Sequence, residues 1–121
     1  MATLLVNAGK AIVTSRIKGT GTEPVYVAWG TGVGTTGATD TTLFTETGTR
    51  TSGTSTQQTT SVTNDTYQVV GTITAGGSLA ITNAGLFDAS SSGNLFVKGD
   101  FSTINLSSGD SIQFTIKCQF S

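Results

Sequence analysis

Residues 110–120, DSIQFTIKCQF, carry the pattern that decides the fold. Apolar side chains occupy every second position from Ile112 to Phe120, and polar side chains occupy the positions between them. Because successive side chains of a β-strand point to opposite faces, this alternation predicts a strand with one face in the core and one in water. Cys118, the single cysteine, falls on the apolar face, where we expect a small buried hydrophobe.

Further strands are predicted on the N-terminal side of this segment. ITNAGLFD at 81–88 and NLFVKGDF at 94–101 are typical of a hairpin, since a Ser/Gly-rich turn separates them. VYVAW at 25–29 and TYQVVGTIT at 66–74 also favour strands, and the polar stretch 49–63 favours a strand, or a strand and a loop. Several short strands with turns between them predict a mainly β fold, either an antiparallel β-sandwich or a barrel.

The N-terminal part of the chain departs from this pattern. Residues 7–18, NAGKAIVTSRIK, have apolar side chains at helical spacing, two basic residues in the last turn and Gly19 directly after them. Asn7 is expected to cap the helix through its side chain. We therefore expect one short N-terminal helix in an arm of about residues 1–18, within a single β-sandwich domain of residues 1–121.

A glycine-rich loop and a helical turn are expected between the first strand and the polar stretch. Asp40 could cap one helical turn, TTLFTET at 41–47, that would bring Leu43 and Phe44 into the core. In the loop, GVGTTG at 32–37 matches the glycine spacing of dinucleotide-binding folds. However, no long amphipathic helix follows, and the rest of the chain alternates as antiparallel β rather than βαβ, so we expect a loop without a nucleotide.

The composition excludes several classes of partner. Only 11% of the residues are charged, the net charge is −1, and the six basic residues are scattered. Nucleic-acid binding and polybasic membrane contacts both need clustered positive charge, so we expect neither. Threonine makes up roughly a fifth of the chain, and a surface with so little charge is poorly protected against association. This suits a protein that works while docked onto other proteins.

No targeting or membrane signal is recognisable. The longest apolar runs are far shorter than the ~20 residues of a membrane span. The first ten residues, MATLLVNAGK, lack the basic start and long apolar stretch of a signal peptide. We expect the protein to be made in a cytoplasm and not exported by that route.

The residue types argue against an enzyme, a metal site or a cofactor site. The chain has no histidine and one cysteine, which excludes the usual zinc sites and the Ser–His or Cys–His pairs of nucleophilic catalysis. Seven carboxylates remain, and a glycosidase needs only two that face each other. Most of them lie beside predicted turns, where Asp bonds nearby backbone. They are Glu23, Asp40, Glu46, Asp65, Asp88, Asp100 and Asp110.

Aromatic residues leave a sugar-binding surface open as an alternative. Trp29, Tyr26 and Tyr67 could stack on a saccharide ring if they were exposed. Aromatic residues at alternating strand positions are more often part of the core. Both interpretations stay open for Trp29 and Tyr67 on the sequence alone.

The order of segments resembles that of small virion structural proteins of tailed bacteriophages. An NAGK-containing helix comes first, and a strand that ends in WGTG at 29–32 follows. A TDT element at 39–41 precedes Leu43, Glu46 and Arg50. The most specific part is AGLFD at 84–88 with GNLF at 93–96 after it, then Phe101 and a Gly-Asp turn at 109–110. The resemblance covers about residues 7–120 and implies a non-enzymatic virion component of the tail, fibre or capsid-associated type, with no catalytic or ligand residues to carry over.

The resemblance and the composition together favour a capsid decoration, or cement, protein. Such a protein binds the outer shell and stabilises the assembled state because it binds that state preferentially. The expected location is then the capsid surface of the virion, after synthesis in the bacterial host cytoplasm. The expected partners are the major capsid protein or other virion proteins, together with copies of the chain in a dimer or trimer. The alternative is a carbohydrate- or receptor-binding module associated with a tail fibre or baseplate.

Overall fold

A computed structural model describes residues 3–121 as two packed antiparallel sheets and one short helix. The fold is therefore mainly β, as predicted, and of the two predicted architectures it is the sandwich. No helix in this part of the chain is long and apolar enough to cross a membrane. The elements in chain order are β1 (Thr3–Leu5), α1 (Asn7–Lys18), β2 (Tyr26–Gly30), β3 (Glu46–Ser52), β4 (Thr54–Gln58), β5 (Thr66–Thr74), β6 (Leu79–Phe87), β7 (Leu95–Leu106) and β8 (Ser111–Gln119).

One sheet has five strands in the order β1-β7-β6-β2-β3, and the other has three in the order β4-β5-β8. The core lies between them, where Trp29 of β2 meets Phe114 of β8 edge to face at a ring-centroid distance of 6.4 Å. Val27 and Val69 lie in the same core and are fully buried. Apolar side chains from both sheets therefore share one interior, as the alternating sequence pattern requires.

β8 confirms the strand predicted from residues 110–120. It pairs with β5 over nine consecutive residue pairs, from Thr66–Gln119 to Thr74–Ser111, without a register shift. Its apolar residues point toward the core but remain half-buried, whereas the polar residues between them are exposed. β8 is thus an edge strand, and the rest of the fold covers its core-facing side chains only in part.

The β6–β7 hairpin is also confirmed, and β7 continues to Leu106. The carboxylate of Asp88 accepts hydrogen bonds from the backbone and side-chain N–H groups of Asn94, which closes the connection. The side chain of Arg50 donates to the carbonyls of Ala89 and Ser92 and lies 3.5 Å from the centroid of the Phe87 ring. β3 is therefore tied to the hairpin connection by one guanidinium group.

The helix has the predicted bounds, but the predicted Asn7 cap is wrong. Val6 occupies the N-cap position and makes no side-chain cap bond, while the backbone N–H of Asn7 donates to the carbonyl of Ala38. Gly19 ends the helix in the left-handed region with φ +91°, as expected of a C-terminal glycine. Gly9 faces β7, where an added Cβ would lie 2.2 Å from the carbonyl oxygen of Phe96.

The helical turn expected at 41–47 is wrong. The side chain of Asn83 accepts from the backbone N–H of Phe44 and donates to its carbonyl, both at 3.0 Å, so the groups that a helical turn would pair are taken. Leu43 is buried, as predicted, although Phe44 is only half-buried. The polar stretch 49–63 divides at Gly53, so that its first part ends β3 in one sheet and its second part forms β4 in the other.

Candidate functional site

The seven carboxylates are spread over the fold. Most of them organise nearby backbone or pair with a basic group, as in the Glu46–Arg50 pair at 2.7 Å and the Asp40–Lys98 pair at 2.9 Å. Asp65 accepts from the backbone N–H groups of the loop 60–62. Among residues 3–121, no group of three or more acidic or cysteine side chains is placed to hold a metal ion.

The glycines of GVGTTG pack against the protein itself. An added Cβ would lie 2.7 Å from the ring of Phe44 at Gly34 and 2.6 Å from Thr45 Oγ1 at Gly32, so both positions must be small. The hydroxyl of Thr82 donates to the carbonyl of Gly32 from the opposite side. The spacing that resembles a dinucleotide motif therefore serves loop packing.

The three aromatic candidates from the sequence differ in their surroundings, and Tyr26 is partly buried against the cluster that contains Phe87. Trp29 is 2% exposed in the core, so it offers no ring face to a sugar. Tyr67 is half-buried and lines a surface groove of about 450 Å³ beside the helix. This groove, called the α1 groove below, is formed by Val13, Arg16, Ile17, Glu23, Tyr67 and Phe120, with further contributions from neighbouring residues.

The base of the α1 groove is aromatic and rigid. The ring of Tyr67 in β5 meets the ring of Phe96 in β7 edge to face at a centroid distance of 5.8 Å. Phe96 is 2% exposed and is held in the core between α1 and the three-stranded sheet. Because Phe96 is fixed by packing, Tyr67 has a defined orientation in the groove.

A carboxylate is fixed at one end of the groove. The hydroxyl of Tyr67 donates to Glu23 Oε2 at 2.9 Å and lies 3.1 Å from the carbonyl oxygen of Pro24. Hydrogen bonds from the hydroxyls of Ser55 and Tyr67 hold the pKa of Glu23 below its usual range, so this side chain is anionic at neutral pH. Burial and the neighbouring Glu23 raise the pKa of Tyr67, which keeps its hydroxyl a donor.

Hydrogen-bond donors and apolar side chains complete the groove. Arg16 Nη1 donates to the carbonyl of Gly21 at 3.1 Å, and no salt bridge to Arg16 occurs in the described part of the chain. Gln57 also lines the groove. Ile17 and Phe120 are 81% and 45% exposed, which is unusual for side chains of this size. The groove thus combines apolar surface with one fixed acceptor and several donors.

This arrangement is suited to binding rather than to acid–base chemistry. Glu23 is the one carboxylate that lines the groove, whereas glycoside hydrolysis needs two. The sequence pointed to Tyr67 but not to Glu23, Arg16, Gln57 or Phe120, because these residues come from separate segments that only the tertiary fold brings together. The alternating pattern placed Phe120 on the core face of the last strand, whereas β8 ends at Gln119 and Phe120 is 45% exposed.

Comparison with known proteins identifies a family. A family model described as podophage GP4 fiber I protein gp80 matches residues 5–118. No curated protein and no solved structure matches the chain.

Proposed function

Since the chain belongs to the family of the podophage GP4 fiber I protein gp80 and is a structural protein of tailed-phage virions, we propose that it works in a fibre and binds saccharide in the α1 groove. The observation that carries the proposal is the presence of a fixed carboxylate and exposed apolar side chains in one groove. In a fibre, the groove would face the bacterial surface, and a saccharide of that surface is the ligand that we propose. The α1 groove is then the point of contact with the host.

The family description favours a fibre over the capsid decoration role expected from the sequence. Both roles suit a rigid β-sandwich with little charge, so fold alone does not separate them. A mixed polar and apolar groove, however, is of use to a protein that recognises a small ligand. Fractionation of virions into heads and tails, followed by immunodetection, should find the protein with the tails, and recovery with the heads in hundreds of copies would restore the decoration role.

The chemistry of the groove matches a sugar ring. A pyranose has apolar C–H faces that pack on aromatic and aliphatic side chains, such as Phe120, Ile17 and Val13. Its hydroxyl groups donate to a carboxylate and accept from guanidinium and amide N–H groups, such as those of Glu23, Arg16 and Gln57. Because Glu23 and Arg16 carry opposite charges, the groove as a whole has no charge to neutralise, which favours a neutral hexose or N-acetylhexosamine.

The volume also fits one or two sugar residues. Small-molecule sites typically enclose about 300–1,000 Å³, and the α1 groove encloses about 450 Å³. Its base is preorganised by the contact between Tyr67 and Phe96 and by the hydrogen bond from Tyr67 to Glu23. A preformed groove binds without the entropic penalty of ordering its walls.

Binding to an array of bacterial surface oligosaccharides tests the proposal. The full chain should bind a subset that contains neutral hexose or N-acetylhexosamine, and Phe120→Ala should weaken the best ligand roughly tenfold because a stacking surface is lost. Tyr67→Phe should weaken the same ligand, because Glu23 loses a hydrogen bond that orients it. Titration calorimetry with the best oligosaccharide measures both changes.

Val62→Ala is the matched control, since Val62 is 68% exposed and does not line the groove. It should leave the affinity unchanged. Absence of any bound oligosaccharide, or equal loss of affinity in Phe120→Ala and Val62→Ala, would contradict the proposal. The oligosaccharide should also be recovered uncleaved, since the groove holds one carboxylate.

A further inference from the structure

β8 is the longest and most regular free edge of the sandwich. The four outermost strands are β1 and β3 in the five-stranded sheet and β4 and β8 in the three-stranded sheet. β1 has three residues and β4 has five, and the register of β3 with its neighbour shifts between Val27 and Trp29. β8 has nine residues, no bulge and no proline. Natural edge strands usually carry such protection, and β8 has only one of the usual devices, the exposed charge of Lys117. β8 is therefore the edge that is most open to pairing with another chain.

The inner face beside this edge is apolar and open. A cleft of about 290 Å³ lies between the two sheets on the β8 side, and Phe101, Ile104, Phe114 and Ile116 line it. Ile104 is 41% exposed, and the other three are half-buried. The apolar inner face is therefore uncovered beside β8, the same strand whose outer backbone N–H and C=O groups are unpaired.

β8 is held rigidly at both ends. Before the strand, the backbone N–H of Ala75 donates to the carbonyl of Asp110 at 2.7 Å. After it, the backbone N–H of Phe120 donates to the carbonyl of Asp65 at 2.9 Å. An edge fixed in this way does not have to be ordered when it binds.

We propose that β8 pairs in antiparallel orientation with β8 of a second copy of the chain, with Thr115 opposite Thr115 of that copy. The two three-stranded sheets then form one six-stranded sheet across a two-fold axis. This interaction is independent of the α1 groove and goes beyond the proposed saccharide binding.

The sequence of β8 favours this register. With Thr115 on the axis, all nine residues of each strand take part, and Lys117 lies opposite Gln113. Phe114 then lies opposite Ile116, so that apolar side chains meet on the inner face and polar side chains meet on the outer face. A register centred on Lys117 would place two lysines opposite each other, which is unfavourable. Charge and hydrophobic pattern are both compatible with this register, and the overlap of all nine residues favours it. The contact is isologous, as a two-fold axis requires.

Replacement of Thr115, which lies on the two-fold axis, by a residue of either charge tests the proposed pairing. Thr115→Lys places two ammonium groups opposite each other, and Thr115→Glu places two carboxylates, so each variant alone should dimerise roughly tenfold more weakly than the unaltered chain. An equal mixture of the two should form a mixed dimer at least as well as the unaltered chain. Analytical ultracentrifugation measures all three samples.

Thr72→Lys is the matched control, because Thr72 is an exposed residue on the outer face of the same sheet but lies in the central strand β5. It should leave dimerisation unchanged. A monomeric unaltered chain, or equal dimerisation of Thr115→Lys and Thr72→Lys, would overturn the proposal. Thr115→Lys should still bind saccharide as the unaltered chain does, which separates this test from that of the groove.

Disulfide cross-linking tests the same pairing without a new charge in the strand. Opposite residues of antiparallel strands have Cα atoms about 4.5–5.5 Å apart, which a disulfide can span. In a Cys118→Ala background, Thr115→Cys should form a disulfide-linked dimer on mild oxidation, and Thr72→Cys should not. Failure of Thr115→Cys to form this dimer faster than Thr72→Cys would also overturn the proposal.

Discussion

Lys98 shows how a single charged residue is accommodated in a nearly uncharged interior. Its side chain is 1% exposed, and its ammonium group lies 2.9 Å from both Asp40 Oδ2 and the carbonyl oxygen of Thr42. The same group lies 3.2 Å from the centroid of the Phe44 ring. Three favourable contacts therefore replace water, since the aromatic face also attracts a cation.

The two members of this ion pair should respond differently to substitution. Asp40→Asn leaves a buried ammonium without its counter-charge and should destabilise the protein by about 3 kcal/mol. Lys98→Met should destabilise it less, because the side chain of Asp40 is 23% exposed and water can reach it. Urea denaturation of the two variants measures the difference. An equal loss of stability would show that burial of Lys98 does not decide the energetics.

The sequence placed Lys98 on a strand but did not predict its burial. Alternation predicts burial of every second residue only where one face of a sheet is wet. At the start of β7, four consecutive residues from Leu95 to Lys98 are buried, because the helix and the loop before β3 cover the second face. The apolar run and the turn before it therefore identified the strand correctly, but they did not identify Lys98 as one of the residues that it buries.

At the scale of elements, α1 depends on a residue that disfavours helices. Gly9 lowers helix propensity by about 1 kcal/mol relative to alanine. However, its missing side chain lets the helix approach β7, since a Cβ there would lie 2.2 Å from the carbonyl oxygen of Phe96 and 2.8 Å from Leu5 Cδ1. Close contact between helix and sheet thus outweighs intrinsic propensity.

Gly9→Ala should therefore destabilise the protein by about 2 kcal/mol, although it favours the isolated helix. The backbone atoms of Phe96 cannot move aside as a flexible side chain could. Thr14→Ala is a control, because Thr14 is exposed and the change also raises helix propensity. It should leave stability unchanged or slightly higher in thermal unfolding. Stabilisation by Gly9→Ala would mean that the helix can shift without loss.

Element boundaries were predictable only where local signals were complete. The bounds of α1 followed from helical spacing and Gly19, and both hairpin strands followed from two apolar runs on either side of a Ser/Gly-rich turn. The division of 49–63 was not predictable, because a polar, threonine-rich segment has no apolar face to assign to a sheet. The chain passes from one sheet to the other at Gly53, where a Cβ would lie 2.5 Å from Val69 Cγ1.

At the scale of the whole molecule, the titratable groups predict a simple response to pH. The chain has no histidine, so stability should change little between about pH 6 and 8. Hydrogen bonds to the backbone N–H groups of Val62, Thr60 and Ser61 hold the pKa of Asp65 far below its usual range. Its carboxylate therefore stabilises the folded state at neutral pH, and this stabilisation is lost as pH falls below about 4.

Asp65→Asn tests this response. The variant should be less stable than the unaltered protein at neutral pH, and the difference should shrink steadily as the solution is acidified below about pH 4. Free energies of unfolding at several pH values measure the trend. A difference that stays constant with pH would show that the carboxylate charge is not what the loop 60–62 requires.

Fold class was predictable from the sequence, and the candidate site was largely not. The mainly β, antiparallel class follows from several short strands with turns between them, although this pattern did not separate a sandwich from a barrel. The α1 groove instead combines the helix, the loop before β2, β4, β5 and the residue after β8, which lie far apart in the chain. A site of this kind has no local pattern, so Tyr67 was one candidate among several.

The edge-to-face contact between Trp29 and Phe114 joins the two sheets and involves the sole tryptophan of the chain. Its indole fluorescence therefore comes from one place, shielded from solvent. Separation of the sheets would expose this fluorophore and shift its emission to longer wavelength. The protein thus contains its own optical reporter of an intact sandwich, which needs no added label.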